Sequence, residues 1–155
     1  MATTQKDDTV SVSITIDAPP EKVYALVSDV TRMGEWSPEC VRCEWLGDDQ
    51  KRFKGYNRKG RAKWSTTATV VRDEPGEEFT FDVTAVLGIP VARWSYRFEA
   101  TPGGGTMVTE SWEDHRAGPL KTITGLMIQV PDRAAHNRKG MEQTLARIKA
   151  AAETA

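Results

Sequence analysis

Two side chains able to move protons fall on apolar strand faces: Tyr96, in the run Val91–Ala100, and Glu110, in the run Thr106–Asp114. Alternate residues of a strand share a face, so Glu110 falls with Val108 and Trp112, and Tyr96 with Trp94 and Phe98. A carboxylate on such a face must be solvated by pocket water, paired, or protonated. Burial would raise its pKa toward the range useful for general acid–base chemistry. The competing readings are a structural pair with an arginine or lysine, and a bulge that breaks the parity and turns Glu110 to solvent. Asn137 poses the same question on a helical stripe, between Ala134 and Met141, where its amide either bonds a neighbour or meets a ligand.

Cys40-Val-Arg-Cys43, with His115 and His136, contains four residue types that ligate zinc. Closed zinc sites draw on two compact ligand pairs, and these histidines are far apart in sequence, so no metal site is expected. A redox CxxC belongs at a helix N-terminus after a strand. Here Val41, Cys43 and Trp45 read as a strand, which predicts opposite orientations for two free, reduced thiols. No nucleophile elbow, phosphate-cradling glycine loop or HExxH motif is present, and no cofactor is implied.

The stretch Lys51–Lys63 holds seven basic residues and no acid. Phe53 and Tyr56 precede, and Trp64 follows, the turn at Asn57-Arg58-Lys59-Gly60, the pattern of a tight β-hairpin. Lys54, Arg58, Lys59, Arg61 and Lys63 form either a solvated outer surface or a dock for an anionic carrier or lipid head group. The formal charge of the whole chain is −1, which argues against a dedicated nucleic-acid binder.

Around these residues the elements follow from periodicity. Val10, Val12, Ile14 and Ile16 alternate as in a half-buried strand. Asp17-Ala-Pro-Pro-Glu21 predicts a helix capped by Asp17, carrying Val23, Tyr24 and Val27 on one side, and a second short helix ends before Pro38. Six strand-like runs follow, 41–46, 51–57, 62–72, 78–84, 91–100 and 106–114, with short turns between them that favour an antiparallel meander closed on one side by the first strand. From Pro119 the period becomes helical: Leu120, Ile123, Met127, Val130, Ala134, Met141, Leu145, Ile148 and Ala152 make one apolar stripe. The expected fold is α+β: a seven-stranded antiparallel sheet wrapped around a long C-terminal helix, with two short helices after the first strand.

A chain of 155 residues fits one domain, taken as residues 9–153 after a flexible stretch at 1–8. No apolar h-region and no apolar run of membrane-spanning length is visible, so the expected address is cytoplasmic, without integral membrane association. A bent sheet gripping a helix leaves a space that side chains fill poorly, a natural ligand pocket. Parity puts Trp64, Thr66, Phe79, Phe81, Trp94, Phe98 and Trp112 on its wall, joined by Trp36 and by Met127 and Asn137 of the stripe. Each ring taken singly also reads as ordinary core.

Asp17-Ala-Pro-Pro-Glu21-Lys-Val-Tyr24, Met33-Gly-Glu-Trp36-Ser-Pro38, Phe53-Lys-Gly55-Tyr-Asn57-Arg-Lys-Gly60, Trp64, Glu74-Pro-Gly76 and Val108-Thr-Glu110-Ser-Trp112 together resemble the SRPBCC superfamily. This is the helix-grip fold of START lipid-binding domains and the birch-pollen allergens, and the likeness is to its polyketide cyclase/dehydrase branch. The resemblance covers about residues 9–150 and implies the helix-grip fold. It also implies a cavity for a hydrophobic or aromatic small molecule, with cyclase/dehydrase-like (aromatase-like) chemistry in which Tyr96 and Glu110 supply the proton transfers. Alternatives within the superfamily are a non-catalytic lipid carrier and a toxin-like or regulatory protein acting through a partner. An acyl carrier protein is an implied partner, nucleic acid is not, and the chain is expected to be a monomer or homodimer. Aromatic cyclases of the branch place an arginine in the cavity; here Arg72, at a strand end, is the nearest candidate.

Overall fold

In a computed structural model of the chain, residues 2–6, 9–119 and 132–154 are described. The elements are β1 (Ala2–Lys6), β2 (Thr9–Ile16), α1 (Pro20–Ser28), a 3-10 turn (Val30–Arg32), α2 (Met33–Trp36), β3 (Cys40–Trp45), β4 (Arg52–Lys59), β5 (Ala62–Glu74), β6 (Glu78–Thr84), β7 (Pro90–Ala100), β8 (Thr106–Asp114) and α3 (Arg133–Glu153). One antiparallel sheet has the order β1-β2-β8-β7-β6-β5-β4-β3. The seven expected strands pair as a meander, and β2 closes it by pairing with β8. An eighth strand is added at the edge: Ala2–Lys6 pairs with Thr9–Ser13, where a flexible terminus was expected. Thr3 and Thr4 are β-branched and suit a strand, but without apolar alternation they carry no periodic signal.

The start of α1 also differs from expectation. Pro19 occupies the N-cap and Pro20 the first turn, without a side-chain cap. The two prolines pre-set the entry instead. Asp17 lies upstream, and its backbone N–H donates to Glu153 Oε2 at 2.7 Å, fastening the end of α3 to the start of this connection. Val23 and Val27, one turn apart, are buried, and Tyr24 meets Phe98 edge-on at 5.9 Å between ring centres. Asp29 caps the 3-10 turn by accepting from the Thr31 N–H, and α2 stops before Pro38 as expected.

Helix α3 is capped by Asp132, whose carboxylate accepts from the Ala135 N–H at 3.1 Å. It buries Ala134, Asn137, Met141, Thr144, Leu145, Ile148 and Ala152 against the concave face of the sheet. The stripe positions Leu120, Ile123, Met127 and Val130 lie outside the described residues. Inward-facing sheet residues complete the core: Val10, Val12 and Ile16 of β2, Phe79 and Phe81 of β6, Tyr96 and Phe98 of β7, and Val108, Glu110 and Trp112 of β8.

Two places need glycine for physical reasons. Gly60 turns the β4–β5 hairpin with φ of +59°, a conformation open to glycine at little cost. Gly34 packs α2 so closely on β3 that a Cβ there would stand 2.4 Å from the Val41 carbonyl oxygen. Because the obstructing atom belongs to the backbone, Gly34→Ala is expected to destabilise the fold by about 1–3 kcal/mol. Urea unfolding of the two proteins checks this; equal midpoints would mean that α2 is free to move away from β3.

Candidate functional site

The space between sheet and helix is a partly open cavity of about 490 Å³. Its wall is mostly apolar: Phe53, Ala68, Phe81, Trp94 and Trp112 from the sheet and Met141 from α3 all face it. Thr66 also lines it, next to Gly55, its cross-strand neighbour on β4, which presents no side chain. The strand parity read from the sequence holds along β5, β7 and β8 at these positions.

Tyr96 and Glu110 are directly opposed in the β7–β8 ladder. Both are buried, and the Tyr96 hydroxyl donates to Glu110 Oε2 at 2.9 Å. Among the described residues no cation is bonded to this carboxyl, and its partner is the neutral Tyr96 hydroxyl. Burial pushes the Glu110 pKa up to about 8, only partly offset by the tyrosine hydrogen bond. The Tyr96 phenol is pushed well above its ordinary value, first by burial and then by the neighbouring carboxyl. Glu110 is therefore largely protonated at neutral pH, and Tyr96 is a hydrogen-bond donor at any ordinary pH.

Two buried polar atoms on the cavity lining have no protein hydrogen-bond partner among the described residues: Glu110 Oε1 and Asn137 Nδ2. Leaving such groups unpaired costs roughly 1–3 kcal/mol each, unless water or a ligand satisfies them. Asn137 thus stands on the buried face of α3 with its amide nitrogen unspent.

At the mouth, Glu39 ties β3 to the first turns of α3. Arg133 donates to Glu39 Oε1 at 2.6 Å and to Oε2 at 3.1 Å, and His136 Nε2 lies 2.6 Å from Oε2. The Arg133 guanidinium also sits 5.8 Å from the centre of the Trp64 ring. Arg116, in the segment after β8, forms a fork with the half-buried Asp114 and lines the same cavity. The cavity arginines are therefore Arg116 and Arg133, supplied by a loop and a helix start. Arg72, the strand candidate, is exposed and meets Glu74 at 3.2 Å. Strand parity, used to find wall residues, is blind to loops and helix termini. The only sequence signal for Arg133 and His136 was their spacing of three on a helix.

Of the expected wall residues, Trp64, Thr66, Phe81, Trp94, Tyr96, Glu110, Trp112 and Asn137 line the cavity. Trp36, Phe79 and Phe98 are buried in the packed core and not on its lining. Phe79 packs on Phe81 with ring centres 5.9 Å apart, and Phe98 is covered by Tyr24 of α1, so both continue the same inner face beyond the cavity. The Met127 position lies outside the described residues. The thiols depart from expectation: a register irregularity between Cys40 and Arg42 puts Cys40 and Cys43 on the same, buried side, with sulfurs 3.3 Å apart. Both are free and both line the cavity. Among the described residues no group of three or more His, Cys, Asp or Glu is arranged to hold a metal ion, and no helix is long and apolar enough to cross a membrane. The basic hairpin exposes Arg58, Arg61 and Lys63, while Lys54 and Lys59 are half-buried.

Residues 7–153 match the sequence profile of the family described as polyketide cyclase / dehydrase and lipid transport. The chain belongs to this family. It is 34% identical to a polyketide-cyclase-like protein, Cgl2372, from Corynebacterium glutamicum, over 91% of this chain and 88% of that one, with a TM-score of 0.59. Its fold is also that of the di-domain ARO/CYC StfQ from the steffimycin biosynthetic pathway, with a TM-score of 0.71 at 15% identity, over 95% of this chain and 51% of that one. A protein from Deinococcus radiodurans is similar at 23% identity, with a TM-score of 0.60 over 89% of this chain and 98% of that one. No curated protein matches the chain. The family's SRPBCC helix-grip architecture is the one described above, with its long C-terminal helix packed on the sheet.

Proposed function

We propose that the chain takes a hydrophobic or aromatic small molecule bearing a hydroxyl or carbonyl oxygen into this cavity and acts on it as a cyclase/dehydrase, with Glu110 and Tyr96 handling the protons. The observation that carries this reading is the buried Tyr96–Glu110 pair beside an apolar space, with Glu110 Oε1 and Asn137 Nδ2 unpartnered on its lining. An acyl chain carrying β-placed oxygens fits that chemistry. Its carbons cover the tryptophan and phenylalanine wall, one oxygen accepts from Asn137, and another lies against Glu110.

A carboxyl titrating near pH 8 is mostly acid at neutrality but keeps a minor base form within easy reach, as general acid–base catalysis requires. In its base form Glu110 takes a proton from a carbon next to a carbonyl. The C–H pair becomes the new carbon–carbon double bond, and the proton is returned to the hydroxyl that leaves as water. Tyr96 stays bonded to Oε2 throughout and stabilises the carboxylate stage. The aromatic wall supplies the other part of the rate by holding the chain in a folded, reactive shape.

The test is conversion of a β-hydroxy-ketone or poly-β-keto thioester by the wild type and by Glu110→Gln. Turnover is expected to fall by about 10²-fold or more, with affinity little changed, because the amide keeps the shape and loses the proton. Equal turnover would remove Glu110 from the chemistry. A carrier reading draws on the same cavity, favoured by the protonated state of Glu110 at neutral pH, which makes it a donor to a ligand oxygen. Tight binding with no conversion by either protein, across both substrate types, selects the carrier. The basic hairpin suits an acidic acyl carrier protein that would deliver such a substrate, by charge complementarity.

A further inference from the structure

The thiol pair is not needed for the acid–base reading, yet it is more organised than two chance core cysteines. The irregularity between Cys40 and Arg42 places both sulfurs on one side of β3, 3.3 Å apart. Met33 Sδ lies 3.8 Å from the Cys43 sulfur, and Met33 faces the cavity as well. Opposite Cys43 in the ladder stands Gly55. A Cβ there would lie 3.6 Å from the Cys43 sulfur and 3.7 Å from the Thr66 hydroxyl, in ordinary contact with both, and glycine leaves that space open beside the sulfur. The sulfurs are thus shielded from bulk solvent and reached from the cavity.

We propose that Cys40 and Cys43 are a reversible dithiol–disulfide modification site in the cavity wall, oxidised by a hydroperoxide small enough to enter the cavity. A disulfide needs its sulfurs at about 2.05 Å, so the observed separation must close by about 1.2 Å, shared between two side chains. The Cys40 sulfur attacks one peroxide oxygen, the O–O bond breaks and an S–O bond forms. The departing oxygen carries away the Cys40 proton as water or an alcohol. The Cys43 sulfur then attacks the Cys40 sulfur, the S–S bond forms, the S–O bond breaks, and hydroxide leaves with the Cys43 proton as water. Two sulfurs lose two electrons between them, and the two peroxide oxygens gain them.

The roles are unequal. The Cys40 thiol is held below its ordinary pKa, mainly by its hydrogen bond with Cys43, whereas the Cys43 thiol is pushed far up by that same interaction and by burial. Within the proposal Cys40, which also approaches the Arg42 carbonyl at 3.4 Å, is assigned the attack and Cys43 the resolving step. Charge on either sulfur also bears on the Tyr96 phenol, which couples the pair to the acid–base centre.

The experiment treats the reduced full chain with hydrogen peroxide and follows free thiols, intact mass and non-reducing peptide maps. The expected result is loss of both thiols together, a mass lower by two hydrogens, a Cys40–Cys43 linked peptide, and full reversal by dithiothreitol. In Cys43→Ser, dimedone should trap a sulfenic acid at Cys40. In Cys40→Ser the hydrogen bond to Cys40 is gone but burial still holds the Cys43 thiol up, so Cys43 should give less adduct than Cys40 does in Cys43→Ser. Disulfide-linked dimers, direct passage to sulfinic acid, or thiols that survive peroxide would each overturn the proposal. The wild-type peptide map decides the matter even if either variant folds poorly.

Discussion

Replacing Glu110 by glutamine is expected to abolish most of a decline in stability that the wild type suffers as pH rises from about 4.5 to about 8. The sign follows from proton counting. In the unfolded chain the carboxyl ionises near its ordinary value of 4.5, whereas in the fold burial holds it protonated up to about 8. Between those values the folded state binds one proton more than the unfolded state, so stability falls with rising pH, by about 1.4 kcal/mol per unit in the limit. Below the lower value both states are protonated and the contribution is intact; above the upper value both are ionised and the loss is complete. Glutamine carries no proton to lose and can still accept from the Tyr96 hydroxyl. The variant should therefore match the wild type near pH 4.5 and exceed it above pH 8 by about 2–5 kcal/mol, the lower end if the fold relaxes around the charge. Denaturant unfolding of both proteins across this range measures the difference and cancels every other titrating group. Parallel curves would mean that the carboxyl ionises as easily inside the fold as outside it.

The fold was legible where one periodicity ran unbroken. The alternation of Val10 to Ile16, the turn residues between strands, and the stripe Ala134, Met141, Leu145, Ile148 and Ala152 each led to an element that is present. Parity was enough to place Tyr96 and Glu110 on one face, because β7 and β8 pair without a register shift. It failed at Cys40 and Cys43 for the opposite reason: one irregular residue reverses every orientation beyond it, and nothing in Cys-Val-Arg-Cys marks the irregularity. It also could not separate lining from backing. Phe79 shares a face with Phe81 and Phe98 with Tyr96, yet the grip of α1 and α3 over the sheet decides which rings meet open space. The mouth network of Glu39, Arg133 and His136 joins residues some hundred positions apart, a distance over which local pattern carries no information.

Filling the cavity from its wall is expected to abolish ligand uptake while leaving the fold in place. Thr66 is half-buried near the middle of β5, lines the cavity, and has the side-chain-free Gly55 as its cross-strand neighbour. An indole at this position has open space to enter, so Thr66→Trp adds apolar contact within the cavity without displacing a packed neighbour. Its melting temperature should stay within a few degrees of the wild type, since about 1 kcal/mol corresponds to roughly 2–4 °C in a domain of this size. Affinity for a ligand that needs the same space should fall by at least about ten-fold, or ~1.4 kcal/mol.

Paired isothermal titration of the wild type and Thr66→Trp with polycyclic phenols, flavonoids, sterols and fatty acids tests the existence of an internal hydrophobic binding site most directly. At least one class should bind the wild type with a negative heat-capacity change, the mark of buried apolar surface, and bind Thr66→Trp at least about ten-fold more weakly. Equal affinity in the two proteins, or no binding of any class to the wild type, would contradict it.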